Sequence, residues 1–234
     1  MKPLKLNPEK RIPSRCVCLD RLLHGGLPSA KLTVFYGEAA TGKTTIALQY
    51  SVNCAREGLQ VLYVDGDGGF PVERLKQMAT DFESLASLIL VFNPKNFFEQ
   101  TVLLENLEVY LSGRVGLIVV DTINNLYRLA IKNTETVFTL NKELNRQLAY
   151  LTHYAKTYNL PVLVLSQVHA VIGGEENGKI EPVAIRALNY WASNVIRLNL
   201  NPKPGLRTAI LERLDGRSFT NVFCHFRLFG GGVE

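Results

Sequence analysis

Residues 32–49 read LTVFYGEAATGKTTIALQ and carry three structural signals in order. The apolar run at 32–36 predicts a buried strand, and residues 44–57 predict a helix that stops before Gly58. Between them the chain matches the phosphate-binding pattern GxxxxGKT with Gly37, Glu38, Ala39, Ala40, Thr41, Gly42, Lys43 and Thr44. A strand, a phosphate-binding loop (the P-loop, residues 37–44) and a helix predict a nucleotide-binding α/β domain.

The residue types of the P-loop explain its expected chemistry. Glycines let backbone N–H groups surround phosphate oxygens, and the start of the helix adds a favourable dipole. We expect Lys43 to reach the β- and γ-phosphates and the Thr44 hydroxyl to bind Mg²⁺. Thr45 completes the predicted nucleotide contacts. The sequence therefore predicts ATP and Mg²⁺ as cofactors.

Further apolar runs surround this stretch and alternate with helical patterns. The predicted strands lie at 61–65, 88–92, 117–121 and 162–166, and the predicted helices at 97–111 and 135–159. Continuous Val, Ile and Leu runs that alternate with helices are typical of a parallel sheet covered on both faces. Asp121 closes the run LIVVD and is the preferred candidate for holding the water shell of Mg²⁺, while Asp65 closes VLYVD and competes for that role.

The last forty residues have a different pattern. Residues 194–200, 207–214 and 219–229 resemble strands, with no helix between them, and Asp215-Gly216 predicts a two-residue hairpin. The expected fold is a P-loop α/β core with a mostly parallel central sheet, helices on both faces and a C-terminal antiparallel meander. We expect a basic N-terminal leader at 1–14 and one domain at 15–234.

Charge and composition exclude several classes of protein. The net charge is +5, and residues 1–15 hold +4 of it because five basic residues there oppose one glutamate. The body is therefore nearly neutral, unlike a broadly basic nucleic-acid binder. No apolar run is long enough to span a membrane. The four cysteines lack the spacing of a zinc site or a CxxC pair, so we expect buried or incidental thiols in a reducing cytoplasm.

Four segments resemble the ATPase core of the RecA/RadA recombinase family. They are CLDRLLHGGLPSAKLTVFYGEAATGKTTIALQ (18–49), VLYVDGDGGFPVERL (61–75), LIVVDTINNLYR (117–128) and VLVLSQV (162–168). The chain is most similar to the short archaeal paralogues, because it is too short for the N-terminal helical domain and shows no Phe-containing docking linker before its core. The resemblance implies a cytoplasmic accessory protein of homologous recombination and repair, with DNA and recombination proteins as partners. The resemblance also allows the chain to form a homo-oligomer, although one that is not held together by the docking linker.

The resemblance also implies roles for three further residues. Asp67 stands where the family has a water-orienting Glu, and its shorter side chain predicts slow ATP hydrolysis and no robust strand exchange. Gln167 matches the glutamine that senses the γ-phosphate. Arg74 matches an arginine that stacks on adenine. Two of these roles have an alternative. Asp67 could serve only to form its loop, and Arg74 could be a solvated residue on a helix.

Two segments match the DNA-binding loops of the family. The first begins at Tyr127 and includes Arg128 and Lys132, and the second spans 171–191 with Lys179 and Arg186. Three glutamates in the second segment outnumber its two basic residues, whereas residues 203–217 have a net charge of +2. Local electrostatic support for DNA binding therefore comes from the leader and from 203–217.

A KaiC-like regulatory ATPase that acts on protein partners is the alternative. The segment LDRLLHGGLP at 19–28, followed by a P-loop, fits that group. Those proteins have two adjacent glutamates after the second strand, and this chain has Gly-Asp-Gly-Gly there.

Overall fold

The computed structural model describes residues 10–111, 113–131, 134–168 and 185–234. The strands in these ranges are β1 (Arg11–Ile12), β2 (Leu27–Pro28), β3 (Leu32–Gly37), β4 (Gln60–Asp65), β5 (Ile89–Phe92), β6 (Val115–Asp121), β7 (Val162–Gln167), β8 (Asn194–Leu200), β9 (Leu206–Leu214), β10 (Arg217–Phe229) and β11 (Gly232–Val233). The helices are α1 (Val17–Leu22), α2 (Lys43–Arg56), α3 (Val72–Met78), α4 (Phe82–Ala86), α5 (Phe97–Glu105), α6 (Asn125–Ala130), α7 (Thr134–Tyr158) and α8 (Ile185–Trp191).

The central sheet has the strand order β11-β10-β9-β8-β3-β7-β6-β4-β5. The six strands from β8 to β5 are parallel, while β9, β10 and β11 each pair antiparallel with a neighbour. The predicted fold class, a mostly parallel sheet with a C-terminal antiparallel meander, is confirmed.

Both faces of the parallel strands are buried, which explains their continuous apolar sequences. Phe35 packs with α2 on one face, whereas Val34, the residue before it, packs with α7 on the other. Leu163 and Val164 of β7 divide between the same two faces. Because successive side chains of a strand point to opposite faces, a strand covered on both sides must be apolar at every position.

The predicted helix at 97–111 is too long by almost two turns. It starts where expected, with the Asn96 side chain accepting a hydrogen bond from Glu99 N at 2.9 Å. At its end the Asn106 side-chain amide donates to Val102 O at 2.8 Å, the same oxygen that accepts from Asn106 N at 3.1 Å, and α5 stops at Glu105. A 3₁₀ turn over Leu107–Tyr110 follows.

The prediction of four free thiols is wrong for one pair. Cys18 in α1 and Cys224 in β10 form a disulfide with their Cα atoms 5.7 Å apart, at a separation of 206 positions in sequence. Sequence spacing could not indicate this pair, because only the meander brings β10 beside α1. Cys16 and Cys54 are free and buried, as expected.

The described part of the basic leader packs on the body of the protein. β1 pairs antiparallel with β2, and Arg11 Nη1 donates to Leu23 O at 2.8 Å. From α2, the side-chain amide of Asn53 donates to Pro13 O at 3.0 Å. Residues 1–9, which include Lys2 and Lys5, lie outside the described residues. Among the described helices, none combines the length and apolar composition needed to cross a membrane.

Candidate nucleotide site

The carboxyl ends of four parallel strands bring the predicted site residues to one edge of the sheet. In the β3–β7 ladder Gly37 lies opposite Gln167. In the β4–β6 ladder Asp65 lies opposite Asp121. Ligands of open parallel sheets bind at this edge, and the P-loop follows β3 there.

A cavity of about 370 Å³ opens at this edge. Eight of the predicted residues line it: Ala39, Ala40, Gly42, Lys43, Thr44, Thr45, Asp67 and Gln167. Three residues that the sequence did not indicate complete the wall: Thr122, Arg207 and Leu228. Arg207 and Leu228 come from the C-terminal meander, so the cavity is closed by distant parts of the chain.

Two glycines shape the P-loop into a cradle. Gly42 has a φ of +97°, a left-handed conformation that glycine adopts without strain, and it caps the start of α2. A Cβ on Gly37 would lie 2.3 Å from Leu198 O of the adjacent β8. The Thr41 hydroxyl donates to Glu38 O at 2.8 Å and closes the loop on itself. This geometry suits phosphate, because it leaves backbone around an open cavity at the start of a helix.

Lys43 is buried and is held by the P-loop itself. Its Nζ donates to Gly37 O at 2.9 Å and to Glu38 O at 2.7 Å. Burial lowers the pKa of Lys43, while the nearby carboxylates of Asp121, Asp67 and Glu38 oppose that shift. The Lys43 ammonium therefore lies beside the cavity, where it is held by neutral carbonyl oxygens, which are weak acceptors for a cation.

Asp121 is a buried carboxylate with one oxygen available. Its side chain accepts from the Tyr63 hydroxyl at 2.6 Å through Oδ2, whereas the buried Oδ1 has no hydrogen-bond partner. Burial raises the pKa of Asp121 to about 6, opposed by Tyr63 and the nearby Thr44 hydroxyl. An unpaired carboxylate oxygen near a hydroxyl fits Mg²⁺, which prefers oxygen ligands. Among the described residues no group of three or more His, Cys, Asp or Glu side chains is arranged to hold a metal ion.

Asp65, the competing carboxylate, is occupied by its own loop. Its two oxygens accept from the backbone of Gly68 at 2.9 Å and of Phe70 at 2.8 Å, and the Asn93 amide donates to it at 3.2 Å. Asp65 therefore organises the turn that carries Asp67. The geometry favours Asp121 as the metal-binding carboxylate.

Thr122 and Asn124, which follow Asp121 in the chain, form hydrogen bonds with other polar groups of the site. The Thr122 hydroxyl donates to Asp67 Oδ1 at 2.8 Å. The Asn124 side chain brackets the backbone of Gln167, donating to Gln167 O at 2.8 Å and accepting from Gln167 N at 3.1 Å. Sequence reasoning missed both, although their position directly after the predicted Asp121 was the available signal.

Arg74 lies outside the residues that line the cavity. Its guanidinium donates to Gly230 O at 2.9 Å, to Phe229 O, and to the Gln77 side chain at 3.2 Å. It therefore lies beside the loop that follows β10, next to the strand that carries Leu228.

The predicted DNA-contact residues are dispersed. Arg128 is half-buried in α6 and Arg186 is exposed in α8, while Lys132 and Lys179 lie outside the described residues. The end of the second predicted loop, from residue 185, is the helix α8. Tyr127 is a core residue whose hydroxyl donates to Asn141 Oδ1 at 2.7 Å.

The basic segment 203–217 presents less charge to solvent than its sequence indicates. Arg207 Nε donates to Ala40 O of the P-loop at 2.9 Å. Arg213 donates to Asn189 O and, at 3.4 Å, to Ala192 O at the end of α8. Two of the four basic side chains in this segment are thus engaged inside the fold.

Comparison with known proteins gives a consistent result. The Rad51 family model matches residues 11–234. The DNA repair and recombination protein RadB of Thermococcus kodakarensis is 39% identical over 220 residues, which cover 92% of this chain and 95% of that protein. The RadB of Methanothermobacter thermautotrophicus is 33% identical over 238 residues and covers 100% of both. A crystal structure of the RadB recombinase superposes with a TM-score of 0.79 at 36% identity, covering 95% of this chain and 98% of that one.

Proposed function

Since the chain belongs to the Rad51 family, we propose that it is an ATP-binding accessory protein of DNA repair and homologous recombination. It binds Mg-ATP and DNA, hydrolyses ATP slowly and does not carry out robust strand exchange. The relatives named DNA repair and recombination protein RadB support the biological role.

One observation carries the nucleotide part of the proposal. Lys43, Thr44, Asp67 and Gln167 line a single cavity at the carboxyl edge of the sheet. Each has the chemistry that phosphoryl transfer requires: a cation, a hydroxyl for the metal, a carboxylate and an amide. The P-loop supplies the backbone that surrounds the phosphates.

Different residues of the chain bind the metal ion and the phosphate groups. Thr44 and Asp121 would hold Mg²⁺, and Lys43 would exchange the carbonyls of Gly37 and Glu38 for phosphate oxygens. When bound, Mg²⁺ neutralises charge on the transferring phosphoryl group. The buried position of Asp121 keeps its free oxygen in place for the metal, since Tyr63 fixes the other oxygen.

Asp67 accounts for the slow hydrolysis. Its carboxylate lies at the cavity and is oriented by the Thr122 hydroxyl. An Asp positions its oxygens one methylene short of a Glu, and attack of water tolerates little misplacement. Gln167, which lines the same cavity and whose backbone is fixed by Asn124, senses the γ-phosphate.

DNA and recombination proteins are the proposed partners, with support from the family rather than from a continuous basic groove. Residues 1–15 carry the largest local excess of positive charge. Exposed Arg186 and half-buried Arg128 are the described candidates for phosphate contacts. Sequence-independent binding with a strong salt dependence is expected from such contacts.

The test measures ATP turnover and single-stranded DNA affinity on the same samples of wild type and Lys43→Ala. We expect slow turnover that is lost in the variant, and DNA affinity that depends on ATP only in the wild type. Lys142→Ala is the matched control for removal of a lysine, because Lys142 is exposed in α7, outside the cavity and outside the segments predicted to contact DNA. Fast, strongly DNA-stimulated turnover contradicts the accessory role, and absence of DNA affinity at low salt favours a regulatory ATPase that acts on proteins.

A further inference from the structure

Arg207 brings a second cation to the phosphate end of the cavity. It is the second residue of β9, and it lines the same cavity as Lys43 and Thr44. Its Nε donates to Ala40 O at 2.9 Å, 167 positions earlier in the chain, and its Nη1 donates to Leu206 O at 2.8 Å. The C-terminal meander therefore places a charged side chain directly on the P-loop.

The guanidinium of Arg207 retains unused donors. A guanidinium has five N–H groups, and these two hydrogen bonds use one on Nε and one on Nη1. Within the described residues neither hydrogen of Nη2 has an acceptor. Among the same described residues, no carboxylate oxygen lies within 4.0 Å of a guanidinium nitrogen of Arg207. A half-buried cation without a counter-charge beside an open cavity is suited to an anionic ligand.

Arg207 and Lys43 are held in the same way. Both donate to carbonyl oxygens of the P-loop, Lys43 to those of Gly37 and Glu38, and Arg207 to that of Ala40. A phosphate oxygen is a stronger acceptor for a cation than a neutral carbonyl, so a bound phosphate chain would compete for both side chains. Arginine adds a planar fork that can bind phosphate through two parallel hydrogen bonds.

We propose that Arg207 is a phosphate-binding residue of this site, which recognises the oligophosphate chain of a nucleoside di- or triphosphate. The inference rests on the proposed nucleotide site and extends it to the meander. Leu228 supports the same geometry, because it packs against Gly42 so closely that a Cβ there would lie 2.7 Å from Leu228 Cδ2. Arg207 and Phe226 are paired in the β9–β10 ladder, so nucleotide binding is coupled to this hairpin.

A purely structural role for Arg207 is the rival explanation. In that case the side chain only anchors Ala40 O, and its loss would loosen the P-loop for every ligand alike. The two roles differ in their dependence on the phosphate chain and on charge. They can therefore be separated with a series of adenine nucleotides.

The experiment compares ATP, ADP and AMP binding by calorimetry, with Mg²⁺, in wild type, Arg207→Gln and Arg207→Lys. Glutamine keeps an amide donor for Ala40 O but removes the charge and the fork. We expect Arg207→Gln to lose about 10- to 100-fold in affinity for ATP and ADP, the effect of one charge-assisted contact, and much less for AMP. Arg207→Lys should recover part of the loss, and the dissociation constant of free tripolyphosphate should rise in Arg207→Gln by a factor similar to that of ATP.

Arg217→Gln is the matched control, because it removes an exposed arginine at the far end of β10 and should bind all three nucleotides as wild type does. Thermal unfolding without nucleotide provides the structural readout, and we expect little change for Arg207→Gln. An equal loss for ATP, ADP and AMP with a lowered unfolding temperature overturns the proposal in favour of the anchor. Unchanged ATP and ADP affinity also overturns it while leaving the proposed function intact. If wild type itself binds no ATP, the proposed function fails and the inference fails with it.

Discussion

Polar side chains at the candidate site are held by neighbouring polar groups, whereas one buried carboxylate oxygen has no partner. Tyr63 satisfies Asp121 Oδ2, Thr122 satisfies Asp67 and Asn124 satisfies the backbone of Gln167. Asp121 Oδ1 is buried without a hydrogen-bond partner. A carboxylate in that state costs folding free energy, and a ligand that binds the oxygen recovers it.

Asp121→Asn should therefore separate binding from stability. The amide oxygen can still accept from Tyr63, but the buried charge is gone. Because burial raises the pKa of Asp121 to about 6, the carboxylate is ionised at pH 8, and its buried charge lowers the stability of the folded protein there. We expect unfolding free energy at pH 8 to stay level or rise by about 1–3 kcal/mol, measured in urea, while Mg²⁺-dependent ATP affinity falls. A less stable variant with normal Mg-ATP affinity would rule out the metal role.

Asp67→Glu tests the carboxylate that faces the cavity. Lengthening the side chain by one methylene should move its oxygens toward the position that orients water. We expect steady-state ATP turnover to rise by roughly tenfold, whereas Asp67→Asn should lower it. Unchanged or slower turnover in Asp67→Glu would mean that Asp67 serves the loop and not the reaction.

The β9–β10 hairpin is the element whose turn chemistry is clearest. Asp215 and Gly216 have φ values of 52° and 77°, the double left-handed conformation that matches the twist of a two-residue hairpin. Lys31 pairs with Asp215 at 2.6 Å, and Asp215 N donates to Asn194 Oδ1 at 2.9 Å. The turn is thus fixed both locally and against the parallel part of the sheet.

Gly216→Ala should destabilise the protein by about 1–2 kcal/mol through its backbone alone. A Cβ at this position would meet nothing within 4 Å, so steric crowding makes no contribution. Gly230→Ala is the control, because that glycine is equally uncrowded and has no positive φ. Urea unfolding midpoints of the two variants provide the comparison. Equal midpoints would show that the left-handed turn costs alanine nothing here.

The two ends of the described chain meet on α2. The Gln49 side chain donates to Ser14 O at 2.7 Å and accepts from Val233 N at 2.7 Å. The disulfide between Cys18 and Cys224 joins the same two regions covalently. The helix α2, which begins at the P-loop, therefore contacts both ends of the described chain.

Reduction of this disulfide should lower the unfolding free energy by about 2–5 kcal/mol, because the cross-link restricts a loop of 206 residues in the unfolded chain. The measurement is thermal or urea unfolding with and without a dithiol reductant. Cys18→Ser with Cys224→Ser should match the reduced wild type and should not respond to reductant. A wild type that is insensitive to reductant would show that the bond makes no contribution.

The elements that hold the site were predictable because their signals are local. The parallel strands, α2 and the hairpin at Asp215 each follow from apolar periodicity or turn residues within a short window. The resemblance to the RecA/RadA recombinases is confirmed by the Rad51 family match over residues 11–234. The end of α5 was missed because the apolar periodicity continues past Glu105 into the 3₁₀ turn over Leu107–Tyr110.

Local patterns thus indicated the P-loop, the eight strands from β3 to β10 in chain order, the helices α2, α5 and α7, and the carboxylates at the strand ends. They left open which carboxylate is free, since the bonds that occupy Asp65 and spare Asp121 Oδ1 depend on how neighbouring strands and loops meet. They also concealed the contributions of Arg207, Leu228 and Cys224, which act on residues more than 160 positions away. Such contacts depend on the strand order and the ladder register. A local window contains neither of these, so folding of the whole sheet was needed to turn a basic C-terminal segment into a wall of the nucleotide site.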